Sequence, residues 1–287
     1  MSSTEPDVRT RIARLFVYPV KSCAGVEVPE APLVETGLDL DRAWMVVDEE
    51  GEFVSQRELP RMALIRPQLK RSEVVLRAPG MLPLHLAVDQ VEAPAKVRVW
   101  NDEVQAWDMG NVAAQWFSDF LGRKLRLARF DPEVRRLSNT RWTGGVEAPN
   151  QFSDGYPLLV VSEGSLAELN RRLAAAGRPA VGMERLRPNI VLAGLEAHDE
   201  DRLDVIRIAA DGEVLLKPVK PCPRCPIPDI DPQTAESSPH VSEALRAYRS
   251  NAVVDGAITF GMNAIVLAGV DAQLRTGQDV TSSWRFD

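Results

Sequence analysis

The residues with the most evident chemistry stand in one short stretch, KPVKPCPRCPIPDIDPQT, at positions 217–234. It holds two of the chain's three cysteines, Cys222 and Cys225, and five prolines between Pro218 and Pro228. Proline fixes φ and lowers the entropy of the unfolded chain, so such a segment presents its side chains from a stiff backbone. A Cys-x-x-Cys pair has several uses. Structural zinc needs four nitrogen or sulfur ligands, and only Cys23, His85, His198 and His240 remain, at no ligand spacing. A thioredoxin-like dithiol starts a helix, which lowers the first thiol's pKa. Here Pro226-Ile227-Pro228 follows the second cysteine, with no amphipathic pattern after it. A single thiolate is also a soft donor for a heavier metal or for a sulfur atom, and Arg224 stands beside it to offset negative charge. Two inert, buried thiols are the plain alternative.

The elements that must hold this stretch come next. The chain has 287 residues, 45% of them hydrophobic, which suits one large domain or two intimate ones. Its net charge of −7 argues against a nucleic-acid partner, which wants a basic face. Positive charge is nevertheless dense at Arg123, Lys124, Arg126, Arg129, Arg135, Arg136 and Arg141. That run reads as a solvated, ion-paired face or as a local anion site. No run of 18 apolar residues exists to cross a membrane, and MSSTEPDVRT lacks a signal pattern. A soluble cytoplasmic protein is expected.

Short apolar-alternating runs at 11–20, 73–79, 82–88, 189–195, 204–210 and 213–219 predict strands, with hairpins over 43–58 and 96–108 and a long strand at 257–268. A buried strand is predicted at 156–162. Helices are predicted at 111–122, from Ser162 or Gly164 to about Ala176, and at 242–249. Many strands with few helices predict a β-rich α+β fold. A division falls in the Gly- and polar-rich loop near 130–150, giving segments 11–130 and 131–287.

Several stretches, taken in order, resemble the MOSC-domain family. CPRC-x5-DPQT at 222–234 is similar to its C-x-R-C…D-x-x-T signature, and LFVYPVKSCAGVEV (15–28) to the YPVKS opening of the N-terminal barrel that precedes MOSC. GLDLDRAWMVVDEEGEFVSQRELPRMALI (37–65), FSDGYPLLVVSEGSLAELN (152–170), RLRPNIVLAG (185–194) and FGMNAIVLAGVDAQLRTGQDV (260–280) continue the likeness. The resemblance spans about residues 11–281.

The resemblance implies a MOSC β-barrel packed with an N-terminal β-barrel-like domain. It implies the molybdenum cofactor, molybdopterin, with Cys225 as a metal ligand and catalytic residue. In the amidoxime-reducing members, N-hydroxylated compounds are reduced. By position, Lys21, Ser22 and Arg42 are expected at the cofactor's anionic groups, since lysine, serine and arginine suit phosphate oxygens. Arg187 and Asn189 are expected at the pterin, where an amide offers both donor and acceptor. Ser162 and Ser165 stand at a predicted helix start, an anion site. Arg224 is expected in the same pocket, and Asp231 is the motif acid, positioning the loop or relaying protons. Each has a duller reading: Lys21 a surface lysine, Ser162 a helix cap, Arg42 half of an ion pair, Asn189 a backbone partner.

Three cysteines cannot ligate a plant-type iron–sulfur cluster. Electrons for a small-molecule substrate are therefore expected from a separate protein, ferredoxin-like or cytochrome b5-like with a flavin reductase. The second reading is a persulfide or cofactor carrier acting through Cys225. The chain departs from the family at Thr234-Ala235, where the motif usually ends Thr-Gly.

Overall fold

Strands with continuous apolar runs need cover on both faces, and this chain supplies it by closing a barrel. The computed structural model describes residues 5–286. Around the barrel run Leu158–Ser162, Ile190–Leu192, Val8–Val17, Asp279–Ser282, Ile206–Ala210, Gly212–Pro223 and Ala257–Ala268, and the last pairs back onto the first. The pair Leu158–Ser162 with Ile190–Leu192 is parallel, and the helix Glu163–Ala175 lies on the crossover that a parallel pair requires. Ile12, Leu15, Leu158, Val160, Leu192, Val214, Leu216 and Val280 meet in its buried interior.

The second body carries a four-stranded sheet in the order Trp44–Val47, Arg126–Phe130, Asp102–Asp108, Ala93–Val99, and a three-stranded meander of Arg66–Leu69, Glu73–Arg77 and Leu84–Ala87. The helix Gly110–Leu121 buries Trp116, Phe117, Phe120 and Leu121 against it and stops at Gly122, whose φ of 71° is the left-handed cap glycine adopts freely. The fold is β-rich α+β.

Three local departures have physical causes. The hairpin over 43–58 is present but short: it turns at Asp48–Gly51 and is held by Asp48 N to Glu52 O at 3.0 Å and Val54 N to Val46 O at 2.9 Å around the Val47–Phe53 bridge. Trp44, Met45, Val46 and Val47 are all buried, and the longer pairing of this strand is with Arg126–Phe130. The strand Gly212–Pro223 runs past the expected end. Its pairing with Ala257–Ala268 shifts register between Pro218 and Lys220 and between Pro221 and Pro223, because proline has no N–H for the ladder. Cys222 therefore ends a strand, while Cys225 lies in the loop beyond it. In the polar loop, Thr140–Thr143 forms one helical turn, capped by the Asn139 side chain.

Five of the seven residues of the basic run are ion-paired, while Arg129 lies over Trp44 and Arg141 over Trp142. Arg123 meets Asp48 and Glu58, Lys124 meets Glu49, Arg126 meets Asp108, Arg135 meets Glu35 and Glu147, and Arg136 meets Asp102.

Candidate functional site

The barrel and the second body meet at the segment Tyr18–Ser22. Lys21 donates its backbone N–H to Trp44 O at 2.8 Å, and Trp44 returns its own to Pro19 O at 3.0 Å. Beside this junction lies a cavity of about 190 Å³. Its walls include Lys21, Ser22 and Arg42 from the junction, Arg187 and Asn189 from the turn before Ile190–Leu192, and Cys222, Arg224 and Cys225 from the proline-rich segment. Eight residues dispersed over two hundred positions thus face one space.

The charge of that space is lopsided. Six cations line it (Lys21, Arg42, Arg57, Arg187, Lys220 and Arg224) against one carboxylate, Asp154. Lys21 is buried and donates from Nζ to Phe152 O at 2.8 Å and to Asp154 Oδ1 at 2.6 Å. Burial pulls the Lys21 ammonium below its ordinary pKa, and Asp154 opposes that pull. Asp154 is exposed, and Lys21 and the Trp100 indole hold its carboxyl below the usual range. Arg187 is pulled down to about 10, first by burial and then by the neighbouring Arg42. Six cations, countered by Asp154 on the wall and by Asp41 behind Arg42, leave an excess of positive charge and form a receptacle for an anion.

Two of the guanidiniums clamp one ring. Arg42 and Arg187 lie over Tyr18 at 4.3 and 4.4 Å from its centroid. Arg42 is further fixed by Asp41 Oδ2 at 2.5 Å, by Asn189 Oδ1 at 3.2 Å and by Arg187 O at 3.2 Å. Arg187 donates from Nη1 to Cys23 O at 2.7 Å.

Three of the nine left-handed non-glycine residues described stand at the same place. Ser22, Arg42 and Arg187 have φ of 67°, 51° and 58°. A non-glycine residue in the left-handed region costs about 1–2 kcal/mol. Such residues persist where the surroundings over-determine them, and they gather at functional sites. All three line this cavity.

The sulfur positions differ in kind. Cys23 is fully buried, and burial pushes its thiol up to about 12. Cys222 packs against the apolar cluster under the helices and accepts from Arg224 Nη1 at 3.3 Å. Burial raises its pKa and Arg224 opposes that. Cys225 belongs to no apolar cluster and lines the cavity. Arg224 is anchored to Leu186 O at 2.7 Å and keeps a buried, unpartnered Nε. Tyr156 adds an unpartnered buried hydroxyl on the same wall. A soft thiol, free donors and an excess of cations fit an anionic, sulfur-ligated metal cofactor.

Four expected site residues are employed within the protein. Ser162 caps the helix Glu163–Ala175, accepting from Ser165 N at 3.1 Å. Its hydroxyl and that of Ser165 donate to the fully buried Glu200, at 2.7 and 2.6 Å. They do not line the cavity, because their donors already satisfy a buried carboxylate. Asp231 positions its loop, the first of the two roles expected of it, and does not line the cavity that holds Cys225. Its Oδ1 accepts from the backbone N–H groups of Gln233 and Thr234, and its Oδ2 pairs with Arg185 at 2.7 Å. Ala235 closes that turn at φ 63°, where a glycine would be unstrained. Asn189 lines the cavity, but its acceptor and one of its two amide N–H donors are used internally. Oδ1 accepts from Leu159 N at 3.1 Å and from Arg42, and Nδ2 donates to Phe16 O at 3.3 Å. Its acceptor has no lone pair left for a pterin.

Sequence reasoning missed Tyr18, Asp41, Arg57, Asp154 and Lys220. Tyr18 and Asp41 stand inside the noted motifs, yet nothing in their types distinguishes a clamp from a core residue.

Comparison with known proteins agrees with this architecture. Residues 9–124 match the MOSC N-terminal beta barrel domain, and residues 147–281 match the MOSC domain. The chain is 33% identical over 251 residues to mitochondrial amidoxime reducing component 2 of Rattus norvegicus, covering 83% of this chain and 72% of the relative. It is 36% identical over 248 residues to mitochondrial amidoxime-reducing component 1 of Homo sapiens, with the same two coverages, 83% and 72%. Molybdenum cofactor sulfurase of Homo sapiens is 30% identical over 270 residues, which are 88% of this chain but 29% of that protein.

Proposed function

Because this chain belongs to the MOSC-domain family, with both the N-terminal barrel and the MOSC domain matched, we propose that it holds the molybdenum cofactor beside Cys225 and reduces N-hydroxylated compounds. The observation that carries the reading is the placement of Cys225 on a cavity walled by six cations and one carboxylate. The cofactor, when bound, supplies a two-electron centre suited to removing oxygen from a hydroxylamine or an amidoxime.

The chain's own residues do the rest. Cys225 offers a thiolate as a soft ligand from a proline-fixed loop. Lys21, Arg42, Arg187 and Arg224 balance the cofactor's negative charge, and the Ser22 hydroxyl adds a donor to the same wall. Asp41, Asn189 and Tyr18 hold Arg42 and Arg187 in place before anything binds, so little side-chain entropy is lost on binding. Electrons reach the site from a separate protein.

The experiment is elemental analysis of protein made in a cofactor-competent host, followed by turnover of an amidoxime with an artificial low-potential donor. The expected result is molybdenum near one per chain, with turnover lost in Cys225→Ser. Loaded protein that reduces no N-hydroxylated compound would overturn the catalytic reading. The match to molybdenum cofactor sulfurase favours a second reading, sulfur carriage as a Cys225 persulfide. It requires a gain of one sulfur atom by mass spectrometry after incubation with a cysteine desulfurase, and no molybdenum.

A further inference from the structure

The mouth of the cavity carries features that holding a cofactor does not use. Two indoles flank it. Trp100 is 43% exposed, packs on Phe53 at 4.9 Å between centroids and donates from Nε1 to Asp154. Arg57 lies over Trp100 at 4.6 Å. On the other side Trp142, half-buried on the helical turn Thr140–Thr143, is covered by Lys220 at 5.2 Å and by Arg141 at 5.7 Å. Asp154 and Tyr156, two positions apart, join the sides, since Lys220 also lies 5.9 Å from the Tyr156 ring. Neither indole lines the cavity itself; Trp100 reaches it through Asp154, Phe53 and Arg57, and Trp142 through Lys220.

The charge of this rim is uncancelled. Arg57, Arg141 and Lys220 have no carboxylate partner among the described residues. The nearby acids are each taken by another cation: Asp154 by Lys21, Asp102 by Arg136, Glu58 by Arg123, Glu52 by Arg98 and Glu147 by Arg135. A chain of net charge −7 thus shows free positive charge around the opening that holds Cys225. Half-exposed tryptophans with arginines on their faces are the residue types that concentrate binding energy in protein interfaces. A rim of one sign steers a partner of the opposite sign and accelerates encounter.

We propose that this rim is the docking face for an acidic one-electron carrier protein, which delivers electrons at the cavity mouth; the proposal rests on the reductase reading above. Two successive carrier encounters supply the two electrons of one reduction, and two protons from solvent let the N–O bond break with the oxygen leaving as water. A face that must release its partner between electrons suits long-range attraction and a small aromatic contact better than a large apolar one.

The test uses loaded protein and an acidic [2Fe–2S] ferredoxin as probe, with reduced methyl viologen as the small-molecule donor. In Arg141→Glu, and independently in Trp142→Ala, KM for the ferredoxin should rise about tenfold, the scale on which steering acts. Viologen-driven kcat should stay within twofold. Raising salt should raise the wild-type KM for ferredoxin more steeply than that of Arg141→Glu, which keeps only Arg57 and Lys220 for salt to screen. A calorimetric titration of ferredoxin into the protein at low salt gives a readout independent of turnover, and the same loss is expected there. Equal ferredoxin KM and affinity in wild type and both variants would overturn the proposal. So would binding to vesicles of phosphatidylserine that both variants lose while ferredoxin binding stays, since the rim would then be a lipid face. Ferredoxin binding that the variants lose, in a protein that reduces no substrate with either donor, would sink the reductase reading and leave the docking face standing.

Discussion

Removing the Asn189 side chain tests whether it is a strut or a ligand. The residue is 1% exposed, and its amide makes three hydrogen bonds inside the protein. In Asn189→Ala the backbone bonds survive: Asn189 N still reaches Leu159 O at 2.8 Å, and Phe16 N still reaches Asn189 O at 2.9 Å. The Leu159 N–H, however, loses its acceptor within the barrel wall, and a stranded buried donor costs about 1–3 kcal/mol. The bonds to Phe16 O and Arg42 are long, 3.3 and 3.2 Å, and Arg42 keeps Asp41 and the Arg187 carbonyl. Their loss, with the small void, adds about 1 kcal/mol. The expected destabilisation is therefore about 2–4 kcal/mol, read as a lower denaturant midpoint with an unchanged m-value. Molybdenum content of the folded fraction should fall only partly, because Arg42 retains two anchors. A stability change under about 1 kcal/mol together with complete loss of molybdenum would refute this reasoning and make Asn189 a direct cofactor contact.

Other perturbations separate structural from functional roles. Burial raises the Glu200 pKa, against the opposing bonds from Ser165 and Ser162. A folded state that holds this proton more tightly than the unfolded chain is stabilised below the unfolded pKa of about 4.3 and loses that stability as pH rises through the folded value. Glu200→Gln should therefore match wild type near pH 4 and be relatively more stable at pH 7, by thermal melts across that range; a deficit that widens with pH would contradict the assignment. Ser165→Ala should cost about 1.5–3 kcal/mol through its bond to the buried carboxylate, with molybdenum per folded chain unchanged. Ala235→Gly should stabilise by about 0.5–1 kcal/mol, because relief of the left-handed strain exceeds glycine's extra unfolded-state entropy. Cys222→Ser should leave molybdenum bound where Cys225→Ser releases it, measured by elemental analysis of matched preparations.

The sequence pattern made the barrel strands and the two long helices legible because each is periodic. Ala257–Ala268 coincides with its expected range, and Gly110–Leu121 differs by one residue at each end. Pairing partners were not legible. Nothing local says that Trp44–Val47 joins Arg126–Phe130, since that choice depends on which distant surface can cover four consecutive buried side chains. The site divides along the same line. Lys21, Ser22, Arg42, Arg187, Asn189, Arg224 and Cys225 could be nominated from motifs, and all line one cavity. Ser162, Ser165 and Asp231 came from equally good motifs, yet their oxygens are committed to Glu200, Arg185 and backbone N–H groups. A motif names the residue type a position needs, and a hydroxyl or carboxylate needed to close a buried network looks the same in sequence as one needed to grip a ligand. What separates them is spare bonding capacity, and that is a property of three-dimensional partners. Arg224 Nε and the Tyr156 hydroxyl have such capacity at the cavity, while Ser165, which bonds Glu200 and the His198 N–H, has none. Left-handed backbone does not make that distinction by itself: Ser22, Arg42 and Arg187 line the cavity, yet Ala235 beside Asp231 and His198 beside Ser165 share the conformation away from it.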